Sequence, residues 1–185
     1  FETIFRISYE VIGTPKVSIV IANKDHVEDL DRCISSILER TSYMNYKIII
    51  VENNSETKEI FEYYDSLKER KNIKVVTFKG EFNYSAVNNL GVKHADGDYI
   101  LLLNNDTQVI SVNWIEELLM FAQRKDVGAV GAKLYYPDKT VQHAGVVLQM
   151  GAHRTAGHVH CRQGRDSIGY MGKLCYAQNV SAVTA

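Results

Sequence analysis

Polar side chains follow three apolar runs of this 185-residue sequence, at positions where they could bind a charged ligand. They lie in the segments Ala22-Asn23-Lys24-Asp25, Glu52-Asn53-Asn54-Ser55 and Asn104-Asn105-Asp106-Thr107. The Asp106 carboxylate could hold a hard divalent cation through oxygen. Such a cation would neutralise the charge that develops on a leaving diphosphate. Asn and Asp also end strands and cap helices in many proteins, so each position taken singly has a structural explanation too.

The other side chains of these segments have the types that a nucleotide needs. Glu52 and Asn53 offer the acceptors and donors that read a base edge and a ribose hydroxyl. Asn104 and Asn105 could bond to a ribose, a phosphate or a metal-bound water. Three such segments at one edge of a sheet therefore predict a site for a nucleotide-like ligand.

The elements that must position these segments alternate along the chain. Apolar and β-branched runs predict strands at residues 17–22, 47–51, 73–78, 99–103 and 127–134. Apolar residues at helical spacing predict helices between them, with stripes that begin at Val27, Ile60, Val87 and Trp114. This alternation indicates an α/β fold, with a mostly parallel, Rossmann-like sheet flanked by helices. Ligands of such sheets bind beyond the carboxyl ends of the strands, where the polar segments lie.

Local signals refine the prediction of the elements. Asp25 and Glu28 have the spacing of a capping box, which would begin the first helix. Gly91 or Gly97 would end the third helix. A further strand is expected at residues 141–150.

The composition excludes several functional classes. The 21 Lys and Arg balance 22 Asp and Glu, which disfavours a general nucleic-acid binder. The apolar runs are too short to span a bilayer, so no transmembrane segment is expected in this chain. Three cysteines without CxxC spacing argue against a disulfide scaffold or a zinc knuckle and favour a reducing compartment.

Histidines are concentrated in a Gly-rich stretch at residues 151–173, which is expected to form a loop. His158 and His160 make an HxH pair that invites a zinc interpretation, with His143 and His153 nearby. No Cys or carboxylate stands at convincing ligand spacing, so structural or acceptor-side polar roles are favoured over a metal site.

The order and spacing of four segments resemble the family 2 glycosyltransferases with the GT-A nucleotide-sugar-binding fold. The segments are VSIVIANKDHVEDLDRCISSIL, IIIVENNS, NNLGVKHADGDYILLLNND and NWIEELL. Bacterial rhamnosyltransferase-like and O-antigen-type members are the most similar, on FNYSAVNN, VGAVGAKLYYPDKTVQHAGVVL and AGHVH. The resemblance implies an N-terminal extension at residues 1–16 and a GT-A domain at residues 17–185 that is incomplete at its C-terminus.

The resemblance also implies roles for single residues. Those implied to bind the donor nucleotide are Ala22, Asn23, Lys24, Asp25, Glu52, Asn53, Asn83, Asn88, Asn104 and Asn105. Glu52 and Asn53 match the pair that contacts base and ribose. Asp106 matches the last acid of the metal-binding DxD segment, whose first acid is replaced here by Asn104. Asp106 is therefore the expected ligand of Mg²⁺ or Mn²⁺.

The implied reaction transfers a sugar from a nucleoside-diphosphate sugar, UDP- or dTDP-linked, to an acceptor hydroxyl, with inversion and with help from the metal. The acceptor would be a saccharide or a lipid-linked group of a cell-surface polysaccharide, assembled in the cytoplasm at the inner face of the membrane. The family's general base is expected after Ala185. Asp138 and Asp166 lie in a predicted turn and loop and are not favoured for that role.

The residues themselves leave other functions to be considered. Nucleotidyl transfer would need a Gly-rich basic loop after the first strand, and a nicotinamide-dependent dehydrogenase would need GxGxxG there. Residues 22–25 contain no glycine, which disfavours both. A nucleotide-binding or interaction module of the same fold, without turnover, fits the Asn104 replacement and the missing base. Metal-dependent nucleotide binding would favour the enzyme over this module.

Overall fold

The computed structural model describes residues 5–150 and 154–184. The chain divides into two compact units. The sheet unit comprises Ile12–Glu117, and the ladder unit comprises Phe1–Val11 with Leu118–Ala185. In the described parts of both units, no helix is long and apolar enough to cross a membrane.

The sheet unit alternates strands and helices, as the sequence predicts. Its elements are β1 (Val17–Asn23), α1 (Val27–Arg40), β2 (Tyr46–Asn53), α2 (Lys58–Leu67), β3 (Ile73–Phe78), α3 (Tyr84–Lys93), β4 (Tyr99–Asn104) and the first residues of α4 (Trp114–Ala122). The four strands predicted for this part of the chain are all confirmed, and each begins or ends within two residues of its predicted limits.

The four strands form one parallel sheet in the order β3-β2-β1-β4. β1 pairs on one side with β2, where Val17 lies opposite Tyr46, and on the other side with β4, where Val17 lies opposite Tyr99. The strand order therefore changes direction at β1. In open α/β sheets such a switch point opens a crevice at the carboxyl ends of the strands.

The central strands are buried on both faces, as expected for a parallel sheet covered by helices. All residues of β1 except Ala22 are buried. One buried cluster joins Val20 of β1, Ile49 and Val51 of β2, and Val87 of α3. This packing fixes α3 against the two strands whose ends carry the first two polar segments.

Gly91 lets α3 approach the sheet closely. A Cβ atom at this position would collide with Val20 Cγ1 and would lie 2.9 Å from Val51 Cγ2. The helix continues through Gly91 and ends at Lys93. Neither of the two glycines predicted to end this helix does so: Gly91 lies inside it, where close packing requires glycine, and Gly97 lies beyond its C-cap, His94.

The start of α1 also differs from the prediction. The residue before the helix is His26, with left-handed backbone at φ 48° and no side-chain cap. Asp25 has a left-handed backbone as well, with φ 51°. Its carboxylate caps α2 instead, so the predicted capping box is wrong.

The ladder unit contains short antiparallel pairs. Its elements are the last residues of α4, β5 (Leu134–Tyr135), β6 (Val141–His143), β7 (Val146–Met150), β8 (Thr155–His158) and a 3-10 turn at Tyr170–Gly172. β5 pairs with β6, and β7 pairs with β8. β8 lies in the stretch predicted to be a loop, of which residues 151–153 lie outside the described residues.

Glycines explain two corrections in this unit. The predicted strand at residues 127–134 is wrong except at its end, and a Cβ at Gly131 would lie 2.5 Å from Val183 Cβ. That run packs against Val183 and does not form a ladder. The predicted strand at 141–150 is divided into β6 and β7 at Gly145, whose φ of 110° favours glycine.

Candidate functional site

A cavity of about 310 Å³ opens at the carboxyl ends of β1, β2 and β4, within the sheet unit. Its volume lies at the lower end of the range of about 300–1,000 Å³ that is typical of small-molecule sites. The predicted donor residues that line it are Ala22, Asn23, Lys24, Asp25, Asn53, Asn104 and Asn105. The polar segments therefore converge, as the sequence predicts.

Four further residues of the wall were missed by the sequence reasoning. They are His26, Phe82, Tyr84 and Val87. Phe82 and Tyr84 are exposed, at 67% and 48%. An aromatic residue on each side of Asn83, in the sequence Phe-Asn-Tyr, is the signal that could have indicated them.

The turn after β4 carries Asp106, which is exposed and does not line the cavity. The Thr107 hydroxyl donates to the Asn104 carbonyl at 2.8 Å. The Cys33 thiol of α1 lies 3.7 Å from the same carbonyl oxygen. Burial raises the pKa of Cys33 to about 11, so the thiol stays protonated at neutral pH and donates. The turn is thereby fixed to the body of the sheet unit.

The donor set at this turn fits a hard divalent cation that is shared with a ligand. Asp106 supplies a charged oxygen, and Asn104 and Asn105 lie beside it in the sequence. Among residues 5–150 and 154–184, no three His, Cys, Asp or Glu side chains are grouped as a metal site. A cation at Asp106 would thus need oxygen ligands from a phosphate group or water.

Asn23 is buried, with 4% exposure, and its amide is engaged inside the protein. Its Nδ2 donates to the Tyr64 hydroxyl and to the Asp25 carbonyl, both at 2.8 Å. Its Oδ1 accepts from Asn105 Nδ2 at 2.6 Å. The predicted donor residue Asn23 therefore joins three neighbouring segments.

Asp25 holds the N-terminus of α2. Its Oδ1 accepts from the backbone N–H of Glu56 at 2.9 Å, and from the N–H and hydroxyl of Thr57 at 3.0 and 2.9 Å. The backbone N–H groups of Thr57 and Glu56 keep the pKa of Asp25 below its usual range. The Asp25 N–H donates in turn to Ser55 Oγ at 2.9 Å. The carboxylate is thus ionised and already bonded to the next segment.

The end of β2 presents one orphaned acceptor. Glu52 is buried, and its Oε1 accepts from the Ser55 N–H at 2.7 Å. Asn53 is 2% exposed, and its Nδ2 donates to the carbonyls of Phe78 and Gly80 at 3.2 and 3.1 Å. Within the described residues, its Oδ1 has no hydrogen-bond partner although it is buried. Leaving a buried acceptor unpaired is costly, so Asn53 keeps an unused hydrogen-bond acceptor beside the cavity that it lines.

Asn83 and Asn88 shape the start of α3, and neither lines the cavity. Asn83 is the N-cap, whose side chain accepts from the Ala86 N–H at 3.0 Å. Asn88 is buried and donates to the Tyr84 carbonyl at 2.9 Å. These bonds hold the turn of α3 whose Tyr84 and Val87 form part of the wall.

The histidines of the ladder unit form a pair. Nδ1 of His143 and Nδ1 of His158 lie 2.9 Å apart, and His143 is fully buried. Burial and the neighbouring His158 lower the pKa of His143. One ring must donate its Nδ1–H and the other must accept at an unprotonated Nδ1, so the two rings hold each other in place; His153 lies outside the described residues.

The sequence profile of Glycosyl transferase family 2 matches residues 18–171. The chain belongs to this family. The O-antigen biosynthesis protein RfbC of Myxococcus xanthus is 43% identical over 154 residues, which are 83% of this chain and 12% of that protein. The chain spans 12% to 20% of the length of two curated relatives that it matches.

Two solved structures share the fold of this chain. The mannosyltransferase PcManGT of Pyrobaculum calidifontis, in complex with GDP-Man and Mn²⁺, has a TM-score of 0.62 at 12% identity, over 81% of this chain and 46% of that chain. GalNAc-T7 with UDP, GalNAc and Mn²⁺ has a TM-score of 0.54 at 20% identity, over 60% and 22%. The predicted GT-A fold is confirmed for this family 2 chain.

Proposed function

We propose that the sheet unit binds a nucleoside-diphosphate sugar, for inverting transfer of the sugar to an acceptor hydroxyl in cell-surface polysaccharide synthesis. The observation that carries this proposal is the orphaned Asn53 Oδ1 at a cavity formed by the ends of β1, β2 and β4. Family membership and the similarity to RfbC support it. The reaction would take place at the inner, cytoplasmic face of a membrane.

Asn53 would bind the base or the ribose of the nucleotide. Its free acceptor matches the imide N–H of a uracil or thymine base, or a ribose hydroxyl. The exposed rings of Phe82 and Tyr84 give the cavity an apolar side on which a planar base can stack. UDP and dTDP are therefore the proposed carriers of the sugar.

The exposed turn at Asp106 would hold Mg²⁺ or Mn²⁺ together with the diphosphate. Bound there, the cation would supply charge neutralisation as the bond between the sugar and the diphosphate breaks. Lys24, which lines the cavity, would add a second positive charge toward the phosphates. The Mn²⁺ in both solved neighbours is consistent with this role.

The acceptor hydroxyl, of a saccharide or lipid-linked group, would attack the anomeric carbon on the face opposite the leaving diphosphate. A general base must take its proton. Asp138 is poorly suited to this step: its carboxylate accepts from Thr140 and pairs with Arg162, and the Thr140 bonds hold its pKa below the usual range.

The test is calorimetric titration with UDP, dTDP and GDP, each with and without Mn²⁺. We expect binding that Mn²⁺ strengthens, and Asp106→Ala should abolish the strengthening. Asn53→Ala should weaken binding about five- to tenfold, the effect of one lost hydrogen bond. Asn89→Ala is the matched control, because Asn89 is exposed and does not line the cavity.

A folded protein that binds none of the three nucleotides would refute the proposal. The chain would then act as an interaction module that keeps the fold without the reaction. The replacement of the first DxD acid by Asn104 is the observation that favours this second candidate.

A further inference from the structure

A continuous set of side-chain hydrogen bonds joins the turn that carries Asp106 to β1 and to α2. It runs from Asn105 Nδ2 to Asn23 Oδ1 at 2.6 Å, and from Asn23 Nδ2 to the Tyr64 hydroxyl at 2.8 Å. Asn23 and Tyr64 are buried, with 4% and 5% exposure. The three residues belong to three different segments: the turn after β4, the end of β1 and the helix α2.

The chemistry of the partners fixes the direction of these bonds. The Asp25 carbonyl oxygen lies 2.8 Å from one end of the Asn23 amide and is an acceptor alone. That end must therefore be the NH₂ group, and Oδ1 must face Asn105. Both Nδ2 hydrogens of Asn23 are then used inside the protein, which leaves this residue no side-chain donor for a nucleotide.

We propose that Asn23 is a positioning residue and not a nucleotide contact: it holds Asn105, and with it the Asp106 turn, in place for the metal. This inference rests on the proposed function, which supplies the metal ion at Asp106. It gives Asn23 a different role from the binding of the donor nucleotide that the family resemblance implies. Asn23 supplies the bond between the turn and β1, and Cys33 supplies a second bond between the turn and α1.

Removal of the Asn23 amide would break three hydrogen bonds, those with the Asn105 amide, the Tyr64 hydroxyl and the Asp25 carbonyl. The Asn104 carbonyl would keep its bonds to Thr107 and Cys33, so the base of the turn would stay in place while its tip loosens. The loss should therefore fall on metal binding at Asp106, and not on base binding at Asn53.

Hydrogen exchange measured by mass spectrometry tests, without any ligand, whether Asn23 holds the Asp106 turn in place. In Asn23→Ala, amide exchange in peptides covering residues 104–108 should be about five- to tenfold faster, as expected for the loss of one buried bond. Peptides from the C-terminal half of α1 should be unchanged. Asn105→Ala removes the other end of the same bond and should give the same acceleration, and the double variant should be no worse than either single variant.

Titration with Mn²⁺ and UDP tests whether Asn23 contributes to metal binding and not to nucleotide binding. Asn23→Ala should weaken the binding of Mn²⁺ in the presence of UDP about five- to tenfold and leave the metal-free affinity for UDP within about twofold. A role that is merely structural would lower both affinities together. Asn89→Ala, on the exposed face of α3, is the matched control and should change neither. If Asn23→Ala fails to fold, Tyr64→Phe removes the same anchor and should give a weaker form of both effects.

Two results would overturn the inference. One is unchanged exchange in the 104–108 peptides, and the other is a loss of metal-free UDP affinity with the Mn²⁺ dependence intact. Failure of the proposed function is distinguishable from both. In that case the parent protein binds no nucleotide, and the exchange experiment still decides whether Asn23 fixes the turn.

Discussion

Replacing Gly91 by alanine should destabilise the sheet unit, although alanine is the better helix former. The added Cβ would collide with Val20 Cγ1 and lie 2.9 Å from Val51 Cγ2, and both valines are fully buried in the centre of the sheet. Overpacking a core costs about 1–3 kcal/mol. The change from glycine to alanine in a helix returns about 0.5–1 kcal/mol. We therefore expect a net loss of up to about 2.5 kcal/mol in the free energy of unfolding.

The single tryptophan lies in this unit. Trp114 is half-buried at the start of α4, and its indole N–H donates to Thr41 Oγ1 at 2.9 Å. Urea unfolding followed by Trp114 fluorescence gives the free energy directly. The same substitution should weaken nucleotide binding, because α3 carries Tyr84 and Val87 of the cavity wall.

A control on the same helix separates packing from propensity. Asn89→Ala adds helix propensity on an exposed face, so it should be neutral or stabilising by up to about 0.7 kcal/mol. The reasoning is refuted if Gly91→Ala unfolds at the same or a higher urea concentration than the parent. Such a result would mean that α3 can move away from β1 and β2 at little cost.

Two further predictions concern the histidine pair and the cysteines. The pKa of His143 in the folded protein is below its ordinary value of about 6.5. The stabilisation from the neutral ring should therefore be complete above that pH and be lost as the pH falls through the lower, folded pKa. The loss should be smaller in His143→Gln, and a thermal midpoint that does not change between pH 7 and 5 would contradict this prediction. A thiol reagent at pH 7 should modify the exposed Cys161 and Cys175 in the folded protein and spare Cys33, which is buried with its pKa raised to about 11. Cys33 should react once urea unfolds the sheet unit; equal labelling of all three thiols in the folded protein would count against the described burial.

The parallel sheet could be read from the sequence because its signals are local. The strands are short apolar runs that end at polar residues, and each is followed by a helical stripe. The predicted strand at residues 127–134 has the same apolar character. It fails because ladder formation depends on a distant partner, and the neighbour of Gly131 is Val183, some fifty residues later in the sequence.

The composition of the site could be predicted better than the role of each residue. Convergence of the three polar segments follows from the direction of parallel strands. The bonds of Asp25 do not follow, because its partners Glu56 and Thr57 lie 31 and 32 residues away and offer backbone groups that every residue has. The orphaned oxygen of Asn53 is likewise a property of packing, and no sequence pattern reports it.

The position of β4 in the sheet has a consequence for the order in which the molecule folds. β1 pairs with β2, which is the next strand along the chain. Its contact with β4 comes from much later in the sequence, since the bond between Asn23 and Asn105 spans 82 residues. Closing a long loop costs more conformational entropy than closing a short one, so the pairing of β1 with β4 is the slower contact. A chain emerging from the ribosome can complete β1, β2, β3 and the Asp25 cap while the Asp106 turn is still unformed. We therefore expect the Asp106 turn to be the last part of the cavity to form.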